Sequence, residues 1–212
     1  MPRPVLTARD LEDIAPGGEI VVPRGALITP LAREEAERRN ITIRFADAEP
    51  GTARSESRSV AIGADHGGFE LKEILRGHLR DWGYTVLDQG TSSAAAVDYP
   101  DFAEAVAERV ARGEAWRGIV IDTMGIGSSI AANKVPGARA ALCYDRATAR
   151  NSREHNDANI LALGAKMISP ELAREIVALW LETPFAGGRH ARRVEKISAI
   201  EQRHRGDAEK GK

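Results

Sequence analysis

From residue 59 onward, short aliphatic runs alternate with longer amphipathic stretches, and this alternation constrains the fold more than any other feature of the chain. The runs are Val60-Ala61-Ile62-Gly63, Thr85-Val86-Leu87, Gly118-Ile119-Val120-Ile121, Ala140-Ala141-Leu142-Cys143 and Ile160-Leu161-Ala162-Leu163. Between them Leu71, Ile74, Leu75 and Leu79 recur at helical spacing, as do Phe102, Val106 and Val110 ahead of Gly113, and later Leu172, Ile176, Val177 and Trp180. Apolar runs separated by helices belong to strands buried on both faces. The pattern therefore predicts a Rossmann-like three-layer α/β sandwich around a five-stranded parallel sheet. At this spacing the stripes read as core, not as sites.

Residues 46–58 carry no large apolar side chain and collect Pro, Gly, Ser and charge, the composition of a solvated linker. Ahead of it, residues 7–14 predict a short capped helix, 19–23 a strand, 31–39 a helix and 41–45 a strand. The expected organisation is a small N-terminal α/β module over 1–45, a linker over 46–58, the main domain over 59–205 and a disordered charged tail over 206–212. A module of about 45 residues is near the lower limit for independent folding, so it is expected to serve docking or oligomerisation.

Formal net charge is -1, from 30 basic and 31 acidic side chains, which argues against a nucleic-acid or membrane partner. No apolar stretch approaches the roughly 20 residues of a membrane span. The start, Met1-Pro2-Arg3-Pro4, lacks the apolar core of a secretory signal. The single cysteine, Cys143, fits a reducing cytosol and reads as buried filler rather than a nucleophile.

Ligands of open α/β sheets bind beyond the carboxyl ends of the strands, which directs attention to the residues that follow each run. The first run leads to Asp65-His66-Gly67-Gly68, suited to orienting a hydroxyl or moving a proton, or simply to capping the next helix. The third leads to Asp122-Thr123-Met124-Gly125-Ile126-Gly127-Ser128-Ser129, where glycines open a helix and aim N–H groups at an anion, or serve only close packing. It lacks the Gly-Lys-Ser/Thr ending of a nucleotide loop. The fourth unit leads to His155-Asn156-Asp157. Arg189 and Arg193 are four apart, on one face if a helix starts there, and suit a phosphate dianion or a solvated basic face. No metal-ligand spacing occurs among the five histidines and one cysteine, and Gly-X-Gly lacks the third glycine of a dinucleotide fingerprint, so neither a metal nor a nucleotide cofactor is expected.

In this order the segments resemble the type B ribose-5-phosphate isomerase family, which includes galactose-6-phosphate isomerase subunits. The likeness runs through Ala64 to Lys72, Asp98-Tyr99-Pro100, Gly125-Ile126-Gly127 with Ser129 to Lys134, Ser152 to Asn159 and Gly187-Gly188-Arg189-His190 with Arg193, within a span of about two-thirds of the chain. The resemblance implies aldose–ketose isomerisation of a phosphorylated sugar through an enediolate. It implies that His155 assists ring opening, that Asp65 holds the ring oxygen or a hydroxyl, and that Asn156 binds the open chain. Gly125, Gly127, Ser128, Ser129 and Tyr99 would form the substrate and anion-hole set. His66, Arg189, Arg193 and Lys166 would take the phosphate, Lys166 standing where many relatives carry arginine. A homodimer or homotetramer with inter-subunit sites is implied as well.

The family usually removes the carbon-bound proton with a cysteine at the end of the third strand, or in one branch with a glutamate at the start of the next helix. This chain has Asp122 and Ser128 at those positions, and Met124 in place of a common threonine. Model aspartate, with a pKa of about 3.9, is a weak base. Two expectations stand side by side: Asp122 shuttles the proton, or it caps the helix of a phosphosugar-binding or assembly subunit. Residues 17–33 also resemble terminal segments of bacterial microcompartment enzymes, which implies a shell or cargo partner within the cytoplasm.

Overall fold

The computed structural model describes residues 5–22, 27–45 and 58–210. The chain divides into two compact units, Met1–Arg54 and Ser55–Lys212. The division falls within the stretch expected as a linker, whose residues 46–57 lie outside the described residues.

In the first unit, β1 (Val5–Leu6) pairs in parallel with β3 (Leu27–Ile28), and β2 (Glu19–Val22) with β4 (Thr42–Phe45). The helix α1 (Pro30–Arg38) begins at Thr29, whose hydroxyl accepts the Ala32 N–H. Residues 7–14 form one 3-10 turn, Ala8–Leu11, instead of the expected helix. Its Thr7–Asp10 capping box is in place, but Pro16, Gly17 and Gly18 follow too soon for nucleation to be repaid by further turns. Leu6, Leu11, Val22, Ala32, Ala36 and Ile41 give this unit a core of its own. The Arg39 guanidinium donates to the carbonyls of Leu11 and Ile14, closing the loop over that core.

The second unit is a five-stranded, all-parallel sheet in the order β6-β5-β7-β9-β8. In chain order its elements are β5 (Ser59–Ala64), α2 (Phe69–Asp81), β6 (Thr85–Asp88), α3 (Tyr99–Ala111), β7 (Arg117–Asp122), α4 (Ile126–Ala132), β8 (Ala140–Leu142), α5 (Arg146–Asn156), β9 (Ile160–Gly164), α6 (Pro170–Glu182), a 3-10 turn (Gly188–His190) and α7 (Ala191–Lys210). Alternate residues of each strand face opposite layers. Ile119, Ile121, Leu161 and Leu163 pack with Leu71, Leu75, Leu79, Ile176, Val177 and Trp180, while Val120, Ile160 and Ala162 pack with Ala103, Val106 and Val110.

All five expected strands are present. Ile74, taken with the core stripe of α2, is instead exposed. Cys143 lies just past β8 and is buried. Helix α7 continues to Lys210, beyond the point where a disordered tail was expected, because Glu, Lys, Gln and Arg are good helix formers as well as charged or polar tail residues. Strand order reverses between β5 and β7, and in open α/β sheets it is beyond the carboxyl ends at such a switch that ligands bind.

Candidate active site

The loops leaving β5, β7 and β9 are fastened together by their main chains. The Asp65 N–H donates to the Ile121 carbonyl (3.2 Å), Ala165 N–H to that of Asp122 (2.9 Å) and Lys166 N–H to that of Thr123 (3.1 Å). A side chain at Gly68 would strike the Ile121 carbonyl, and one at Gly67 the Thr123 hydroxyl, so the two glycines let the β5 loop close onto β7. Buried Asp65 accepts the Gly68 N–H at 2.9 Å.

Asp122, only 5% exposed, is the anchor of this edge. Its Oδ1 accepts the N–H groups of Met124 (2.7 Å) and Gly125, and its Oδ2 accepts that of Ser128 (2.9 Å). The turn requires Gly125 at φ 78°, where a Cβ would lie 2.7 Å from the Leu163 backbone. Two bonds fill Oδ1, whereas Oδ2 keeps one lone pair. The N–H of Gly125, a residue of the expected anion-hole set, is thus engaged within the chain, as is that of Ser128. Gly127 keeps its N–H without a bond among the described residues. The Tyr99 ring lies over Gly127, where an added Cβ would be 2.5 Å from a ring carbon. Exposed His66 holds Nδ1 3.2 Å from the Val97 carbonyl, and exposed Lys166 and half-buried Ser129 complete the rim.

His155 and Asn156 lie elsewhere. They close α5, which carries the chain from the end of β8 back to the start of β9, so they stand at the amino edge of the sheet. Strand β9, Ile160–Gly164, separates that edge from Gly164, the partner of Asp122 in the sheet. At about 3.3 Å per residue the gap is roughly 16 Å. Grouping His155 and Asn156 with the strand-end residues is therefore corrected: chain order places them after a strand, but the whole length of α5 intervenes.

A second cluster forms around His155. Asn151, one turn earlier, donates its amide to His155 Nδ1 at 2.8 Å, which leaves the ring proton on Nε2. The His190 ring stacks on His155 with centroids 4.1 Å apart and planes inclined by 6°. Burial pushes the His190 pKa below its ordinary value, His155, Arg189 and Arg193 push it further, and Glu154 opposes them. Because α7 begins at Ala191, Arg189 belongs to the 3-10 turn and Arg193 to the first turn of α7, so the two do not share one helix face as expected. Both are exposed. A cavity of about 860 Å³ lies beside the cluster, bordered by Asn156, Arg139, Lys134, Ile197, Ile200 and His204. Neither Asn151 nor His190 follows a strand end in the sequence, although the four-residue spacing of Asn151 and His155 is visible there.

Among the described residues no group of three or more His, Cys, Asp or Glu side chains is placed to hold a metal ion, and no helix is long and apolar enough to cross a membrane.

A sequence profile of the family described as Ribose/Galactose Isomerase matches residues 60–197. The chain belongs to this family. Ribose-5-phosphate isomerase B of Escherichia coli is 49% identical over 146 residues, 69% of this chain and 98% of the relative. D-erythrulose-4-phosphate isomerase of Pectobacterium atrosepticum is 42% identical over 148 residues, 69% of this chain and 97% of the relative. A solved structure of Clostridium thermocellum ribose-5-phosphate isomerase B superposes with a TM-score of 0.68 at 55% identity, covering 69% of this chain and 99% of that one. The ribose/galactose isomerase match begins only at residue 60, leaving the first unit outside it.

Proposed function

We propose that this chain interconverts an aldose phosphate and its ketose phosphate without a cofactor, through an enediolate, with ribose 5-phosphate and ribulose 5-phosphate as the leading pair. One observation carries the reading: a buried carboxylate, Asp122, is fixed by main-chain N–H groups where the family usually has its cysteine, with one Oδ2 lone pair remaining. On this proposal Oδ2 removes the proton from the carbon beside the carbonyl and returns it to the neighbouring carbon. The Gly127 N–H meets the developing oxyanion, while Gly125 and Ser128 serve the site by holding Asp122. Asp65 holds the ring oxygen or a hydroxyl, His155 assists ring opening, Asn156 binds the open chain, and Tyr99 and Ser129 line the sugar. His66 and Lys166 at one sheet edge, with Arg189 and Arg193 at the other, take the phosphate. Since the two edges of one chain are too far apart, each site draws one edge from each of two copies, in a homodimer or homotetramer.

The test is NMR observation of purified full-length protein with pentose, tetrose and hexose phosphates. Interconversion of ribose 5-phosphate is expected, and an Asp122→Asn variant with undiminished turnover would exclude Asp122 as the base. The same three bonds also describe a helix-capping carboxylate, which favours a second reading as a phosphosugar-binding or assembly subunit. Calorimetric binding of ribose 5-phosphate without turnover would establish that reading.

The first unit, with its own core and outside the family match, supports a docking role. We assign it to a bacterial microcompartment shell or cargo partner in the cytoplasm. Deleting residues 1–50 should abolish co-assembly with shell proteins and spare isomerase activity; co-assembly that persists rules this out.

A further inference from the structure

His190 is the one histidine that is at least nine-tenths buried among the described residues, and one of its ring nitrogens has no partner. The Arg189 Nε–H points at His190 Nε2 at 3.4 Å, so Nε2 is the acceptor and the neutral ring carries its proton on the unpartnered Nδ1. One face of this ring covers His155 at a centroid distance of 4.1 Å, nearly parallel. His155 is held from its other side of approach by Asn151, whose amide occupies Nδ1. A ring with one nitrogen bonded and one face covered has lost both its freedom to flip and its freedom to tilt. What remains available is Nε2–H.

The electrostatics point the same way. The groups facing His190 are His155 and Glu154 from α5, Arg189 from the 3-10 turn and Arg193 from α7, three potential cations against one carboxylate. Two imidazolium rings stacked at this distance would repel strongly, so protonation of one disfavours protonation of the other. The Ala186 N–H donates to the Glu154 carbonyl at 3.0 Å, which fastens the segment carrying His190 to the end of α5 and keeps the rings together.

We propose that His190 is a positioning residue for His155: its stacked ring fixes the plane of the His155 imidazole with Nε2–H presented outward, and the stacking limits the pair to at most one positive charge. This rests on the ring-opening role assigned to His155 above. The neutral ring of His190 is the passive member, so the N–H that the pair offers is Nε2–H of His155. A general acid needs a fixed direction for its proton as much as a suitable acidity, and a displacement of about 1 Å can lower turnover by a hundredfold.

The test has two arms on the full chain. In the first, histidine nitrogens are followed by NMR from about pH 5 to 9, with signals assigned from single-histidine variants. His155 should show the Nε2–H tautomer and His190 the Nδ1–H tautomer, and His155→Gln should raise the His190 titration midpoint. An unchanged midpoint, or the opposite tautomers, overturns the proposal. This arm needs no turnover, so it decides the pairing even if the isomerase reading fails. In the second, His190→Phe and His190→Ala are compared with ribose 5-phosphate as substrate. Phenylalanine preserves the stacking face and should keep kcat within about twofold, whereas alanine should lower it roughly tenfold or more with KM little changed. Equal losses in both variants would mean that the His190 N–H itself touches substrate, and an alanine variant of normal kcat would mean that stacking is irrelevant; either outcome rejects the positioning role.

Discussion

Removing the Asp122 side chain would strand the N–H groups of Met124, Gly125 and Ser128 at the opening of α4. A buried donor left without an acceptor costs about 1–3 kcal/mol, so Asp122→Ala should destabilise the second unit by at least about 2 kcal/mol in urea unfolding. Asp122→Asn keeps one acceptor oxygen and should lose less stability while still losing about a hundredfold or more of any isomerase turnover. A capping role alone predicts the same order of stability, tracking the number of acceptors, but leaves turnover indifferent. Asp122→Cys separates chemistry from structure a second way. A thiol titrates near 8.5 in model peptides, so the variant should retain turnover only as pH rises toward the alkaline range. The position of Asp122 was plain in the sequence. Its bonds were not, because they depend on the left-handed turn at Gly125 that folds the following N–H groups back onto the carboxylate.

At the level of elements, the edge near His66 depends on how α2 is pinned to β6. Lys72, almost wholly buried on α2, contacts both oxygens of Asp88 at the end of β6, at 2.7 and 2.9 Å, and Arg76 joins them at 2.7 Å. Burial alone would raise the Asp88 pKa, but the bonds from Lys72, the Gly90 N–H and Arg76 outweigh it and hold the value below the ordinary carboxylate range. A depressed folded-state pKa contributes stability that is complete above the unfolded value of about 3.9 and is lost as pH falls through the folded value. Asp88→Asn should therefore cost most at about pH 7, and its urea midpoint should approach that of the unsubstituted protein as pH falls below the ordinary carboxylate range; a gap independent of pH would contradict the assignment. This pairing joins elements sixteen residues apart and left no periodic trace. The strands and most helices, by contrast, were legible because apolar runs and stripes at helical spacing report burial directly. The two-residue strands β1 and β3 are too short to show a period, and the 3-10 turn at Ala8–Leu11 shares its capping chemistry with a helix that Pro16 and the glycines do not allow.

On the scale of the whole molecule, the decisive fact is that the candidate residues occupy opposite edges of one sheet. Spacing along the chain could show that His155 and Asp122 each follow a strand, but only the direction of α5 reveals that one follows it by the length of a helix. A site needing both must take them from different copies, and that arrangement has a genetic signature. Consider a two-fold dimer assembled from Asp122→Asn and His155→Gln chains. One of its two sites combines both substitutions, and the other combines the intact strand-end edge of one chain with the intact His155 edge of its partner. Each homodimer is inactive at both sites. Random mixing yields half heterodimers, so co-expression should restore about one quarter of the unsubstituted activity, assayed as ribose 5-phosphate isomerisation after joint purification. Activity no higher than that of the separate variants would show that the two edges are not shared between copies, whereas recovery near one quarter would locate the reaction at the junction of two chains.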